Sequence, residues 1–440
     1  MAASSPPATA TYTIAWIAAL PHERAAALEL LDEEHRRPKD FKKNPSDGNS
    51  YSWGRIGDLN VVIASLPYGV YGTTGAAVTA AHLVSSLPHI RIGLLVGVGA
   101  GVTGETHDES GHVVLERDVL LGDVVVSEPE NGNGGVVLHD VIKAKVVDGK
   151  NRTLLNGHLN QPPDAFLHAL GALRAQHLRR RSKMRELLAA FEQNEVMKDT
   201  FIYPGAEHDP LRAALKFSNP DRSRDASKIH YGTIASGNKL ITIAQERNDI
   251  VTWLRENNID PLCFETVAGG LMNSFPCVVI RGICDYADER KNDIWQHYAA
   301  ATAAAFAKEL LNYLDVDEIY GEGILAKRPR ELKSDMQDVK TKTSRLVDSA
   351  AENEMRELQT WLCPTDYTPR LHQHQRNYQA GTVSWSFEDE QYNSWAQRGK
   401  GSNLLGGSHP GDRQIHTGST FDRGATTQSR RRQSNPDLGP

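Results

Sequence analysis

Four places along this 440-residue chain put acids, hydroxyls or glycines directly after an apolar, β-branched run, where an open α/β sheet presents its carboxyl ends to ligands. The first is Glu23, which follows TYTIAWIAAL at the start of a helix, a position where a carboxylate either caps the helix or faces a ligand crevice. The second is Gly97-Val98-Gly99-Ala100-Gly101 after LLV, where the missing side chains let a sugar or base approach the backbone. The third is IHYGTIASGNKLI, a strand running through Ser236, Gly237 and Asn238 toward a helix. The fourth is RGICDYAD, in which Asp285 and Asp288 follow a strongly apolar strand and are each a candidate general acid or a helix N-cap.

Other chemistries are poorly served. GVGAGV lacks the third spaced glycine of a dinucleotide fingerprint and does not follow the first strand, and no residue about twenty positions on is clearly a ribose-binding acid. There is no GxSxG elbow or HExxH motif, and Cys284 beside Asp285 reads as a small buried residue rather than a nucleophile. The four cysteines Cys263, Cys277, Cys284 and Cys363 show neither CxxC nor Cys/His ligand spacing, so no metal site and no disulfide scaffold is expected.

The elements that must hold these residues are legible from periodicity. From Tyr12 to about Leu314, apolar strand runs (TYTIAWIAAL, LNVVIASL, IGLLVGVGAG, DVVVSEP, IHYGTIASG, PCVVIRGICD) alternate with helical stretches. The helices are HERAAALELLDEEH, TTGAAVTAAHLVSSL, DAFLHALGALRAQHL, RSKMRELLAAFEQN and AAATAAAFAKELLNYL. This is an α/β pattern, and the nearly unbroken apolar strands predict burial on both faces of the sheet. Residues 103–115 read as a polar surface insertion. Arg179, Arg180, Arg181, Lys183 and Arg185 read as a solvated helix face.

Beyond Leu314 the composition shifts. Residues 315–380 read as a charged linker and 381–440, rich in Gly, Ser, Gln and Arg, as a mostly disordered tail; residues 1–11 are expected to be disordered as well. Hydrophobic residues make up 39% and charged residues 24%, with a net charge of -6 and pI near 6.3, so no global basic field draws nucleic acid or anionic membrane. The N-terminus carries no basic signal-peptide region and no membrane span, and the chain reads as soluble, intracellular and cytoplasmic.

Taken in order, IAWIAALPHE, LLVGVGAGV, LLGDVVVS with GGVVLHD, HYGTIASGNKLI, CFETVAGGLMNSFPCVVIRGICDYAD and WQHYAAATAAAFAKELL resemble the nucleoside phosphorylase/nucleosidase superfamily. Within it they most resemble the domain at the N-terminus of fungal NLR-like (NACHT) proteins, over residues 12–314. The resemblance implies a three-layer α/β/α fold with a central mixed sheet, often in homo-oligomers, acting on purine nucleosides or nucleotides without a cofactor. It implies that Glu23 activates water and that Asp285 protonates the departing purine at N7. Gly97, Val98 and Gly99 would then lie near the ribose, and Leu240 with Ile241 near the base.

Two departures from the superfamily matter. The arginine that phosphorylases carry before the glycine loop is Leu95 here, which favours water over phosphate as the nucleophile. The family's E-M-E-A-A-G stretch reads Glu265-Thr266-Val267-Ala268-Gly269-Gly270, so the glutamate that holds the ribose hydroxyls is replaced by Val267. The alternative function is therefore a catalytically impaired nucleoside-sensing or oligomerisation module. In the tail, GTVSWSFEDEQYNSWAQRGKGSNLLGGSHPG resembles the segment before a NACHT P-loop. The motif is degraded to His409-Pro410-Gly411-Asp412-Arg413-Gln414-Ile415, and no ATPase is expected.

Overall fold

The computed structural model describes residues 6–107, 113–147, 150–155, 157–211, 227–291 and 293–322. The linker from residue 323 and the degraded P-loop segment lie outside the described residues. The chain enters through a single 3-10 turn, Thr9–Thr11, where disorder is expected from composition; the Asp40 carboxylate accepts the Thr9 N–H and hydroxyl and so fixes the turn.

Strand β1 (Tyr12–Ala18) is buried at every position, as its unbroken apolar run predicts. Helix α1 (Pro21–Glu29) opens on a proline, whose missing N–H costs nothing in the first turn. It stops short of the helical pattern that runs on to His35. Asp32 donates its N–H to the Arg55 carbonyl, and Glu33–His35 becomes strand β2, antiparallel to β3 (Tyr51–Ile56). Then come β4 (Leu59–Ser65), α2 (Gly72–Ser86) and β5 (Ile92–Gly101). The expected surface insertion contains a small hairpin, β6 (Glu105–His107) with β7 (Val113–Leu115).

Strands β8 (Val124–Ser127) and β9 (Val136–Leu138) precede a second hairpin, β10 (Ile142–Val147) with β11 (Lys150–Leu155). Helices α3 (Asp164–Arg179) and α4 (Met184–Gln193) lead to β12 (Ile229–Ser236), α5 (Ala244–Glu256) and β13 (Pro261–Glu265). The described chain ends with β14 (Cys277–Asp285), α6 (Gln296–Leu311) and α7 (Val316–Gly321).

The central sheet is mixed, in the order β13-β12-β8-β14-β5-β1-β4-β3-β2, with β9 beside β12. Strands β4, β1, β5 and β14 run parallel to one another, while β8 is antiparallel to β14. The sheet then curls back on itself: β13 crosses the end of β5 antiparallel, with Cys263 opposite Gly101 and Phe264 opposite Ala100. This closure brings the carboxyl ends of β5, β13 and β14 together.

Alternate residues of the sheet feed two cores. Ile14 and Trp16 of β1 pack with α1, α3, α4 and α6, whereas Tyr12, Ala15 and Ile17 pack on the side of α2 and the turn after β13. The molecule is thus layered α/β/α around a mixed sheet. Cys263, Cys277 and Cys284 are buried and unpaired within β13 and β14. No described helix is long and apolar enough to cross a membrane. Packing continues past Leu314, because Ile319 of α7 is only 1% exposed and Arg91 donates to the Tyr320 carbonyl.

Candidate active site

Glu23 sits in the first turn of α1 and is 3% exposed. Its Oε2 accepts the N–H groups of Ala19 (2.6 Å) and Leu20 (2.9 Å), and its Oε1 accepts that of Val98 (2.8 Å). The Leu20 bond is a capping interaction, so the carboxylate closes the helix and also reaches across to β5. A carboxylate has about four acceptor positions, so three backbone donors leave room for another, such as a water O–H. Burial pushes the Glu23 carboxyl above its ordinary value, opposed by the Arg281 guanidinium and the three backbone bonds. A base at this position is more proton-avid than an exposed glutamate.

Arg281, which the strand's apolar composition conceals, organises the other side. It is 1% exposed in the middle of β14 and pairs through Nη2 with Glu265, while Nη1 lies 3.5 Å from the Val98 carbonyl. A charge inside CVVIRGICD is a signal in itself, since buried arginines are almost never unpaired. Gly97 makes the approach possible: a Cβ there would overlap the Glu23 carboxylate and stand 2.6 Å from Arg281 Nη1. Gly99 is needed for a similar reason, its Cβ position being 3.0 Å from the Phe264 carbonyl. Glu23, Gly97, Val98, Gly99, Glu265 and Arg281 therefore form one assembly.

Glu265 is fully engaged within it. Besides Arg281, its carboxylate accepts the N–H groups of Val267 (2.9 Å) and Ala268 (3.0 Å), fixing the turn after β13. Thr266 is half-buried, and Val267, 4% exposed, joins the apolar core on the α2 side. Glu265 cannot take over the role of a hydroxyl-binding acid at Val267 without giving up these bonds.

Asp285 ends β14 on the same strand as Arg281 and four residues on, in register opposite Ala100 after a bulge. Its Oδ1 accepts the Ala287 N–H at 2.9 Å in a tight turn that holds Ala287 at φ 51°. Its Oδ2 lies 3.5 Å from Lys291 Nζ. Helix α6 begins only at Gln296, so Asp285 is not that helix's cap. Asp288, the other acid of the motif, is buried and receives Arg290 and Arg247, which makes it a strut for the loop. Burial pushes the Cys284 thiol well up, as expected for a packed residue rather than a nucleophile.

The two expected base contacts separate. Ile241 is buried beside Phe264, Val137 and Ala287, near the Asp285 turn, whereas Leu240 is 61% exposed on the loop after β12. In that loop Asn238 accepts from Thr73 and donates to Asp140, tying the start of α2 to the end of β9. His139 is a further residue missed from sequence. It packs edge-on against Phe264, and a Cβ at Gly237 would overlap its ring. Burial pulls its imidazole below the ordinary value. Among the described residues no cluster of three or more His, Cys, Asp or Glu is arranged to hold a metal.

No protein-family profile matches the chain. Over 316 residues it is 38% identical to a nucleotide-binding leucine-rich repeat (NLR)-like protein of Hyaloscypha variabilis, a match that covers 68% of this chain and 29% of that protein. The chain thus spans under a third of the length of this curated relative. Among solved structures it is similar to futalosine hydrolase of Helicobacter pylori (16% identity, TM-score 0.42, 69% of this chain and 99% of that one). It is similar also to the 5′-methylthioadenosine/S-adenosylhomocysteine nucleosidase of Neisseria meningitidis in complex with methylthio-immucillin-A (18% identity, TM-score 0.42, 69% and 100%).

Proposed function

We propose that residues 12–314 carry a hydrolytic N-glycosidase for purine nucleosides or nucleotides. Glu23 takes a proton from water, the water oxygen attacks C1′, and the C1′–N9 pair leaves with the base as Asp285 delivers a proton to N7. The carrying observation is the buried Glu23, held by three backbone donors against the Arg281–Glu265 pair, with Asp285 farther along the strand that bears Arg281. Water is preferred to phosphate as nucleophile because Leu95 stands where phosphorylases carry arginine. Homo-oligomerisation, a cytoplasmic location and a role beside an NLR-like receptor belong to the same proposal, the last resting on the Hyaloscypha relative.

A second reading is favoured by one observation: Val267 is packed into the core and Glu265 is already occupied, so no carboxylate stands at the family's ribose position. That arrangement suits a sensor that binds nucleosides without turning them over. Chromatography of the purified chain with adenosine, inosine, methylthioadenosine, AMP and ATP, with and without phosphate, separates the two. Free base independent of phosphate, abolished by Asp285→Asn, supports hydrolysis; ribose 1-phosphate overturns the nucleophile assignment. No product from wild type but activity in Val267→Glu supports the sensor.

A further inference from the structure

Beside the Glu23 clasp lies a cavity of about 330 Å³, lined by Ala19, Leu20, Arg24, Ser65, Leu66 and Tyr71 among others. Ala19 and Leu20, whose N–H groups hold Glu23, line it, as does Arg24, the next residue after Glu23 in α1, while the Glu23 side chain itself does not. Among the described residues the cavity's one charged lining residue is Arg24. This half-buried guanidinium donates only to hydroxyls: to Ser65 through Nη1 (3.0 Å), and through Nη2 to Ser52 (2.8 Å) and Ser50 (3.5 Å). Among the described residues it meets no carboxylate.

That is an unusual state for a partly buried arginine. Burial lowers its affinity for the proton, which means that the charged form is short of compensation where it stands. A serine that accepts from arginine keeps its own O–H free to donate. Guanidinium and hydroxyl together therefore offer several donors and no negative charge, a set that suits a phosphoryl oxygen cluster. The rest of the lining, with Leu28, Leu66, Tyr68 and Tyr71, is apolar or aromatic. Such walls suit an anion carried on a larger organic molecule better than a small, fully hydrated ion.

We propose that Arg24 and Ser65 seat the phosphate of a nucleotide whose glycosidic bond lies at Glu23, so that nucleotides are bound in preference to nucleosides. This rests on the N-glycosidase reading for the placement of the sugar, but not for the binding of phosphate itself.

Calorimetry on the full chain carrying Glu23→Gln, which keeps the ligand intact, tests it with AMP, adenosine and inorganic phosphate. AMP is expected to bind about tenfold to a hundredfold more tightly than adenosine, the scale of charge-assisted hydrogen bonds. Adding Arg24→Met removes that preference while adenosine affinity and melting temperature hold, and Arg24→Lys keeps part of it. Equal affinities for AMP and adenosine overturn the proposal. So does Arg24→Met weakening both ligands alike with a lowered melting temperature, which would mark Arg24 as a strut between α1, β3 and β4. Inorganic phosphate matching AMP overturns the nucleotide assignment in favour of a free-phosphate seat. If AMP preference depends on Arg24 but wild type releases no base from any substrate, the phosphate seat stands and the glycosidase reading falls.

Discussion

Glu23 and its neighbour His22 titrate in opposite senses, and each leaves a measurable trace. If Glu23 is the base, product formation rises with pH through a midpoint above the ordinary 4.5, because burial raises its carboxyl. The pH profile of kcat/KM checks this, and a limb at or below 4.5 counts against the assignment. Glu23→Gln should lower the rate by about a hundredfold or more and erase the limb. His22 is pulled down to about 4 by burial first and by His297, 5.1 Å away between ring centres, second. Its folded value lies below the unfolded 6.5, so the unfolded chain binds more protons between them. The stability His22 contributes is present above 6.5 and is lost as pH falls toward 4. Urea unfolding should accordingly show a shallower loss from pH 7 to 4.5 in His22→Phe than in wild type; equal slopes would remove His22 as the source. At this scale the acids Glu23 and Asp285 are legible in sequence because each directly follows an apolar strand run, and the structure places Glu23 just after β1 and Asp285 at the end of β14, both buried. Arg281 shows as a lone charge in an apolar strand, but its pairing with Glu265 does not, because an arginine surrounded by Val, Ile and Cys gives no periodic signal of a partner on another strand.

The sheet and helices were legible where burial is complete and obscure where it is narrow. Strands β1, β5 and β14 announce themselves as apolar runs, and all are buried along nearly their whole length. Helix α5, AQERNDIVTWLRE, is expected after IHYGTIASGNKLI, but its span carries no clear periodicity because it buries only Arg247, Val251 and Leu254, a stripe too thin to stand out among charges. The end of α1 lies earlier than its helical pattern predicts, because that pattern continues into residues that pair with β3 instead. Close approach between elements is a separate constraint. A Cβ on Gly282 would overlap the Ala299 carbonyl, so β14 and α6 meet there backbone to backbone. Gly282→Ala is expected to cost about 1–3 kcal/mol or more as an overpacked contact. Gly171 in α3 meets nothing within 4 Å, and Gly171→Ala should stabilise by about 0.5–1 kcal/mol. Thermal melts of the two variants should move in opposite directions; parallel shifts would contradict the packing argument.

Over the whole molecule, the boundary of the packed unit lies farther along than the composition change at Leu314 suggests. Helix α7 is too short and too acidic to be visible as a core element, yet Ile319 is buried, the Ala165 N–H bonds the Glu322 carboxylate at 3.2 Å and His168 lies 3.4 Å from Glu318. Truncation after Glu322 is expected to leave the melting temperature unchanged. Truncation after Leu314 should lose about 2–4 kcal/mol, the scale of one buried isoleucine and its cavity. Identical melts for the two would mean that α7 adds nothing.

The three unpaired thiols of β13 and β14 give the protein an internal clock. Burial holds each thiol in its unreactive, protonated form, so a thiol reagent can label Cys263, Cys277 or Cys284 only during an excursion that opens the sheet. With Cys363 replaced by serine, one labelling rate shared by all three would mean that the curled sheet opens as a unit. A faster rate at Cys263 alone would mean that β13 unlatches first from the end of β5, and with it the turn that Glu265 and Arg281 hold shut. A saturating nucleotide that slows the same rate would then report occupancy without any need for turnover, which makes the measurement equally usable for an enzyme and for a silent receptor.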